Sequence, residues 1–132
     1  MAKAARKPYT HQTTYISKAF DYNTAGIGTA DTIQVGTLPL GCLHLETIVR
    51  VKTAFNAATT NVIKVGTAAD GDAFIEAGDV IEGTTGTYFS DRSAGAVYTA
   101  DTPVYVTYTE TGTAASAGSA EVVVTYIPRI ES

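Results

Sequence analysis

Hydrophobic and polar side chains alternate along most of this chain, and the run from Leu43 to Thr53 shows the alternation most clearly. One set of alternate positions holds Leu43, Leu45, Thr47, Val49 and Val51. The other set holds His44, Glu46, Ile48, Arg50 and Lys52. Because successive side chains of a strand point to opposite faces, this period of two predicts a strand whose first face is buried.

Shorter runs of the same kind, separated by Gly, Asp, Asn and Thr residues, predict further strands. They cover residues 13–20, 32–38, 61–66, 79–82, 88–90, 96–99, 103–110 and 120–127. One stretch lacks the strand pattern, and within it Asp70–Glu76 favours a single helical turn with Phe74 and Ile75 turned inward. Seven to nine short strands joined by turns predict an all-β fold, an antiparallel two-sheet β-sandwich of jelly-roll or Greek-key type.

Two of these strands carry candidate contact residues. Tyr105 lies on the face opposite to the predicted core positions Val104, Val106 and Tyr108. The last strand is apolar on both faces around Val123, which is typical of a central strand or of a strand at an interface. Because tyrosine is also favoured in protein interfaces, we expect Tyr105 and Val123 to contact other subunits.

Charge is unevenly distributed along the chain. Three of its nine basic residues, Lys3, Arg6 and Lys7, lie within the first seven positions, and the remainder carries six basic and thirteen acidic residues. This division predicts a flexible basic N-terminal arm over residues 1–12 and a β-sandwich domain over residues 13–132. A cationic arm on an acidic body suits docking onto an acidic neighbouring surface, but a solvated, unstructured terminus explains the same charges equally well.

Residues suited to catalysis are sparse. Cys42 is the single cysteine, so no intrachain disulfide can form, and its candidate basic partners are His11 and His44. No third orienting group and no nucleophile-elbow motif accompany them, and Gly26-x-Gly28 is followed by a strand instead of the helix that a nucleotide loop needs. We therefore expect a protein that is not an enzyme, has no cofactor and, lacking a second basic patch, binds no nucleic acid.

Five carboxylates lie close together in the sequence: Asp70, Asp72, Glu76, Asp79 and Glu82. An Asp-x-Asp pair suits a hard cation such as Ca²⁺, so Asp70 and Asp72 are the candidate metal ligands. The spacing lacks the pattern of the roughly 12-residue EF-hand loop, however, and acidic loops commonly only solvate a turn. The sequence therefore predicts no metal site.

The first residues lack the apolar segment of a signal peptide, and no run approaches the roughly 18 consecutive apolar residues of a membrane span. We therefore expect synthesis in a cytoplasm and no membrane partner.

Three features carry a family resemblance: the basic arm over residues 2–8 ahead of a β domain, the strand, glycine, acidic turn and aromatic succession over residues 61–75, and a composition rich in Thr, Ala and Gly. Together they resemble the small virion structural proteins of tailed bacteriophages, especially head decoration (cement) proteins. The resemblance extends over nearly the whole chain.

The resemblance implies a β-sandwich or jelly-roll subunit, commonly a homotrimer, that binds the major capsid protein on the outside of the head. There it would stabilise the shell against the pressure of packaged DNA, after synthesis in the host cytoplasm. In this picture the arm residues Lys3, Arg6, Lys7 and Tyr9 extend along a capsid protein or an adjacent copy.

Other functions fit the same composition. A tail or head-fibre component has a similar sequence character, and a receptor- or glycan-binding β-sandwich would use the loops at residues 70–82 and 88–91. A small β-sandwich enzyme of unknown type is a third alternative.

Overall fold

The computed structural model describes residues 13–24 and 31–128, and these residues form seven strands and no helix. The strands are β1 (Thr14–Asp21), β2 (Asp31–Leu38), β3 (Leu43–Thr53), β4 (Thr60–Gly66), β5 (Gly86–Ser90), β6 (Thr102–Thr111) and β7 (Ser119–Ile127). The described part of the chain thus has no helix of the length and apolarity needed to cross a membrane. The predicted arm over residues 1–12 and the pair Gly26-x-Gly28 lie outside the described residues.

The strands alternate between two antiparallel sheets. Odd-numbered strands form a four-stranded sheet in the order β1-β7-β3-β5, and even-numbered strands form a three-stranded sheet in the order β2-β6-β4. Every connection therefore crosses from one sheet to the other. This is the strand order of a jelly roll whose eighth strand, beside β4, is reduced to a bridge between Val65 and Ile75. The predicted all-β sandwich is confirmed.

The core lies where the inward faces of the two sheets meet. Val104, Val106 and Tyr108 of β6 have no exposed surface, as the alternation predicts. β7 is a central strand, and its Val122 and Val124 are equally buried in the same cluster. The inward side chains of the two sheets thus pack together in one core. Burial of these apolar side chains supplies the main driving force for folding.

Strand β3 departs from strict alternation at a β-bulge. Its register with β7 shifts between His44 and Glu46, so Leu45 is an extra residue. From Thr47 onward the predicted face is the buried one. Before the bulge the phase is reversed, because His44 is fully buried and Leu43 is half-exposed. The sequence prediction for β3 is therefore wrong for its first three residues.

The connection between β4 and β5 contains neither the predicted helical turn at Asp70–Glu76 nor the predicted strand at residues 79–82. Phe74 and Ile75 are nevertheless buried, as expected. Likewise, the predicted strand at residues 96–99 is only an isolated bridge.

This connection closes the free edge of β4. Ile75 exchanges two backbone hydrogen bonds with Val65, at 3.0 and 3.1 Å. Glu82 is 8% exposed, and its Oε2 accepts the backbone N–H of Ile63 at 2.9 Å. Edge N–H groups that would otherwise be open to another chain are thereby satisfied internally.

At Gly66 the chain approaches itself too closely for a side chain. A Cβ there would lie 2.6 Å from the carbonyl carbon of Gly71. We expect Gly66→Ala to lower the free energy of unfolding by about 1–3 kcal/mol, because the backbone must move apart. Gly83→Ala is the control, since no atom lies within 4 Å of its Cβ position. Denaturant unfolding measures both variants, and equal stabilities would contradict the close approach at Gly66.

Candidate functional site

The outward faces of the two sheets differ in character. On the three-stranded sheet the outward positions are mainly polar and include Thr32, Gln34, Thr37, Lys64, Thr107 and Thr109. On the four-stranded sheet the outward positions include the charged residues Glu46, Arg50, Lys52 and Glu121. The apolar outward residues of that sheet, which we call the apolar outer face, are Tyr15, Leu43, Leu45, Ile48, Phe89, Val123 and Ile127. Because the outward face of a sheet is normally polar, a group of seven apolar side chains on it indicates an interaction surface.

The register of the strands builds the centre of this face. Ser17 pairs with Val123, Val123 with Ile48, and Ile48 with Phe89. These four residues form one row across all four strands, which we call the central row. Phe89 is 65% exposed, whereas Val123 and Ile48 are half-buried among their neighbours.

A second apolar row lies where β3 begins. Leu43 pairs with Ile127 on one side and forms a bridge with Val97 on the other. Val97 is 59% exposed, and the bulge adds Leu45 beside this row. The apolar surface therefore extends from the central row towards one end of the sheet.

The two predicted contact residues of the strands lie on opposite faces of the sandwich. Val123 is in the central row, whereas Tyr105 is half-buried on the outward face of the three-stranded sheet. Any one flat contact can therefore include only one of them, and both contacts stay predictions. The predicted contact residues of the arm lie outside the described residues: Lys3, Arg6, Lys7 and Tyr9.

Sequence reasoning did not single out Ile48 or Phe89 as contact residues. A signal for Ile48 exists, because it is an apolar residue between Glu46 and Arg50 on a face that is otherwise polar. Phe89 has no comparable signal, since its membership in the central row depends on pairing between strands far apart in the sequence.

Asp70, one of the two candidate metal ligands, is held against the three-stranded sheet. Its backbone N–H donates to Thr107 Oγ1 at 3.0 Å, and its carboxylate lies 2.6 Å from Lys64 Nζ. These contacts fold the loop over Thr107, which is only 1% exposed. Asp72 is exposed, and within residues 13–24 and 31–128 no group of three or more His, Cys, Asp or Glu side chains is placed to hold a metal ion.

Arg92 holds two further carboxylates of the acidic segment. It donates to both oxygens of Asp79, at 2.6 and 3.0 Å, and lies 2.9 Å from Glu76 Oε2. The hydrogen bonds from Arg92 hold the pKa of Asp79 below its usual value. Asp79 and Arg92 line a depression of about 280 Å³ with Phe89, and their charges are already engaged with each other.

Tyr88, the first residue of the 88–91 segment considered for glycan binding, holds the preceding loop in place. Its hydroxyl donates a hydrogen bond that the carbonyl oxygens of Ile81, at 3.1 Å, and Thr84, at 2.9 Å, share. Its ring is half-buried against the core. The polar end of Tyr88 is therefore used within the chain.

The two groups considered for nucleophilic chemistry, Cys42 and His44, have no exposed surface. Burial raises the pKa of the Cys42 thiol and lowers the pKa of the His44 imidazole. His44 Nδ1 donates to the carbonyl oxygen of Ser93 at 3.1 Å, which leaves Nε2 as an acceptor 3.4 Å from the Thr47 hydroxyl. The ring also packs on Phe74, with centroids 4.5 Å apart. His44 thus joins β3 to two loops.

Comparison with solved structures finds chains from phage capsids. A chain of the cyanophage Pam1 capsid asymmetric unit is 28% identical, with a TM-score of 0.67 over 89% of this chain and 84% of that chain. A chain from the acid-stable capsid of Helicobacter pylori bacteriophage KHP30 is 15% identical, with a TM-score of 0.64 over 88% of both chains. A chain from the capsid of Ralstonia phage GP4 is 17% identical, with a TM-score of 0.59 over 89% of this chain and 86% of that chain.

The KHP30 and GP4 chains share the fold, and the Pam1 chain adds a higher sequence identity over nearly the same length. The Pam1 chain thereby supports a structural protein of a phage virion, which is the coarser part of the prediction from sequence. No family model matches the chain, and no curated protein does.

Burial of neutral His44 predicts a pH dependence of stability. Its folded pKa lies below the ordinary value of 6.5, so the unfolded chain binds this proton more readily. The stabilisation is complete above that value and is lost as the pH falls towards the folded pKa. We expect the wild type to lose more unfolding free energy than His44→Gln between about pH 7 and pH 5.

Denaturant titrations of both proteins at each pH measure this difference. Glu82, whose pKa is raised by burial, contributes a slope of opposite sign, but it is common to both proteins and cancels in the comparison. Parallel pH profiles would contradict a neutral buried imidazole.

Proposed function

We propose that this protein is a non-catalytic decoration subunit that binds the major capsid protein on the outside of a phage head and stabilises the shell. The observation that carries the proposal is the apolar outer face, present on a fold shared with phage capsid chains. A subunit that worked alone in solution would gain nothing from exposing this surface, whereas a subunit of a shell can bury it.

The proposed stabilisation of the shell comes from a modest buried apolar area at each subunit contact, repeated at every copy on the lattice. Removing apolar surface from water contributes about 25 cal/mol per Å², but association of a single copy loses translational and rotational freedom. On a lattice, each copy that is bound at one contact is already close to its neighbours, and this raises the effective concentration for the next contact. Repetition therefore converts a weak contact into a stable layer.

Two observations support a role without catalysis. Cys42 and His44 are fully buried, and the Arg92 side chain is occupied by Asp79 and Glu76. These groups hold strands and loops together. In this proposal the protein acts on the virion surface after synthesis in the host cytoplasm.

The basic arm would provide a second contact. Residues 1–12 join the domain at the start of β1, an edge strand of the sheet that carries the apolar outer face. Arm side chains can therefore reach an acidic partner without disturbing the core, and the resemblance to decoration proteins adds association of copies, commonly as three.

Addition of the purified protein to heads that lack it tests the proposal. We expect it to bind, to raise the temperature at which the heads release DNA, and to appear on the outer surface in electron cryomicroscopy. Phe89→Ser should weaken binding by removing exposed apolar area. Ile81→Ser is the matched control, because Ile81 is 60% exposed but lies in the loop before β5. Heads that stay unoccupied and no more heat-resistant would overturn the proposal.

Deletion of residues 1–8 tests the arm. We expect an unchanged melting temperature, because these residues precede the first strand, and weaker attachment to heads, most clearly at low salt. A full-length variant with Lys3, Arg6 and Lys7 changed to Gln separates charge from length. Unfolding of the truncated protein, or attachment equal to that of the full chain, would show that the arm has a different role.

A further inference from the structure

Charges of opposite sign flank the central row. On β3, Glu46 precedes Ile48 by two residues and Arg50 follows it by two, so all three side chains point outward. Neither Glu46 nor Arg50 forms an ion pair with another residue in the described part of the chain. The face therefore has an apolar centre with Glu46 on one side, and with Arg50 and its cross-strand partner Glu121 on the other.

This arrangement is self-complementary. A two-fold axis running along the central row would lay a second copy face to face with the first and reverse its strand direction. Each residue would then oppose the one that lies equally far on the other side of the row. Ile48, Val123 and Phe89 would meet their own copies, and Glu46 would oppose Arg50 of the second copy twice.

Side-chain size is complementary under the same axis. Tyr15 belongs to the cross-strand row of Glu46, and Ala19 to that of Arg50. The rotation therefore places Tyr15, which is 62% exposed, over the small Ala19 side chain of the second copy. Packed sheets lie about 10 Å apart, a distance that Tyr over Ala and Glu to Arg can both span.

We infer that the central row binds a second copy of this chain through a two-fold symmetric contact centred on Ile48. Four strands about 4.8 Å apart and about eight residues long present roughly 500 Å² per copy. The paired faces would cover roughly 1,000 Å², near the lower limit of specific interfaces, so the dimer is weak in dilute solution.

A second copy explains the pattern better than a different protein does. A capsid protein can match any arrangement of charges, whereas self-pairing requires opposite charges at equal distances from the axis, as found for Glu46 and Arg50; Glu121, the other charge in the row of Arg50, would lie over the neutral Thr125 of the second copy. A trimer would join two different surfaces of each copy and would leave the symmetry of this face without a role. The contact does not depend on a virion function, because it is a property of the isolated chain.

Charge reversal on both sides of the axis tests the contact. We expect sedimentation equilibrium from about 1 µM to about 1 mM to show a monomer–dimer equilibrium for the wild type. Glu46→Arg alone and Arg50→Glu alone should each weaken it about tenfold, because each variant turns both ion pairs into like-charge pairs. The double variant, and an equimolar mixture of the two single variants, should recover dimers within about threefold of the wild-type Kd.

Lys52→Glu is the matched control, because it changes the net charge as Arg50→Glu does but lies outside the opposed pairs. It should dimerise like the wild type, and its mixture with Glu46→Arg should form fewer mixed dimers than the Arg50→Glu mixture. Phe89→Ser is a second test variant in case a charge variant fails to fold, because Phe89 is exposed on the edge strand β5. It should also weaken the dimer. A monomer at all concentrations, a trimer, or no recovery on mixing overturns the two-fold contact. The capsid role is then judged separately, by whether wild-type protein binds and stabilises heads that lack it.

Discussion

The phase of strand β3 is the constraint on which both the core and the outer surface of this protein depend. In a strand, a shift by one residue moves every following side chain to the other face. The bulge at Leu45 makes this shift once, so that His44 and Thr47 are both buried although they are three residues apart. The same phase places Ile48 outward, between Val123 and Phe89.

Around this strand the molecule separates two kinds of surface. The edge of β4 is closed by Ile75 and Glu82, and the outward face of the three-stranded sheet is polar and partly covered by the loop at Asp70. The N–H groups of Ile63 and Val65 at that edge are therefore not open to a strand of another chain. The four-stranded sheet instead leaves apolar side chains outward, and this is the surface that the proposed shell subunit would bury.

Groups with reactive chemistry in other proteins have structural roles here. His44 connects β3 to Ser93 and Phe74, and Arg92 holds the acidic segment through Asp79. His44 is buried and Arg92 is paired, and the hydrogen bonds of both side chains position backbone segments. The acidic residues that looked like one cluster in the sequence are divided among different partners: Asp70 pairs with Lys64, Glu76 and Asp79 share Arg92, and Glu82 accepts the backbone N–H of Ile63.

Alternation by itself determined the all-β class, the core positions Val104, Val106 and Tyr108, and the two-faced apolar character of the last strand, because side-chain direction in a strand follows from local geometry. Only the tertiary structure decided the bulge at Leu45, the burial of His44, and the separation of Val123 from Tyr105. It alone assembled the central row, since Ser17, Val123, Ile48 and Phe89 become neighbours through pairing between distant strands. Local periodicity carries no information about register or about which sheet receives a strand, and those two choices place the candidate site.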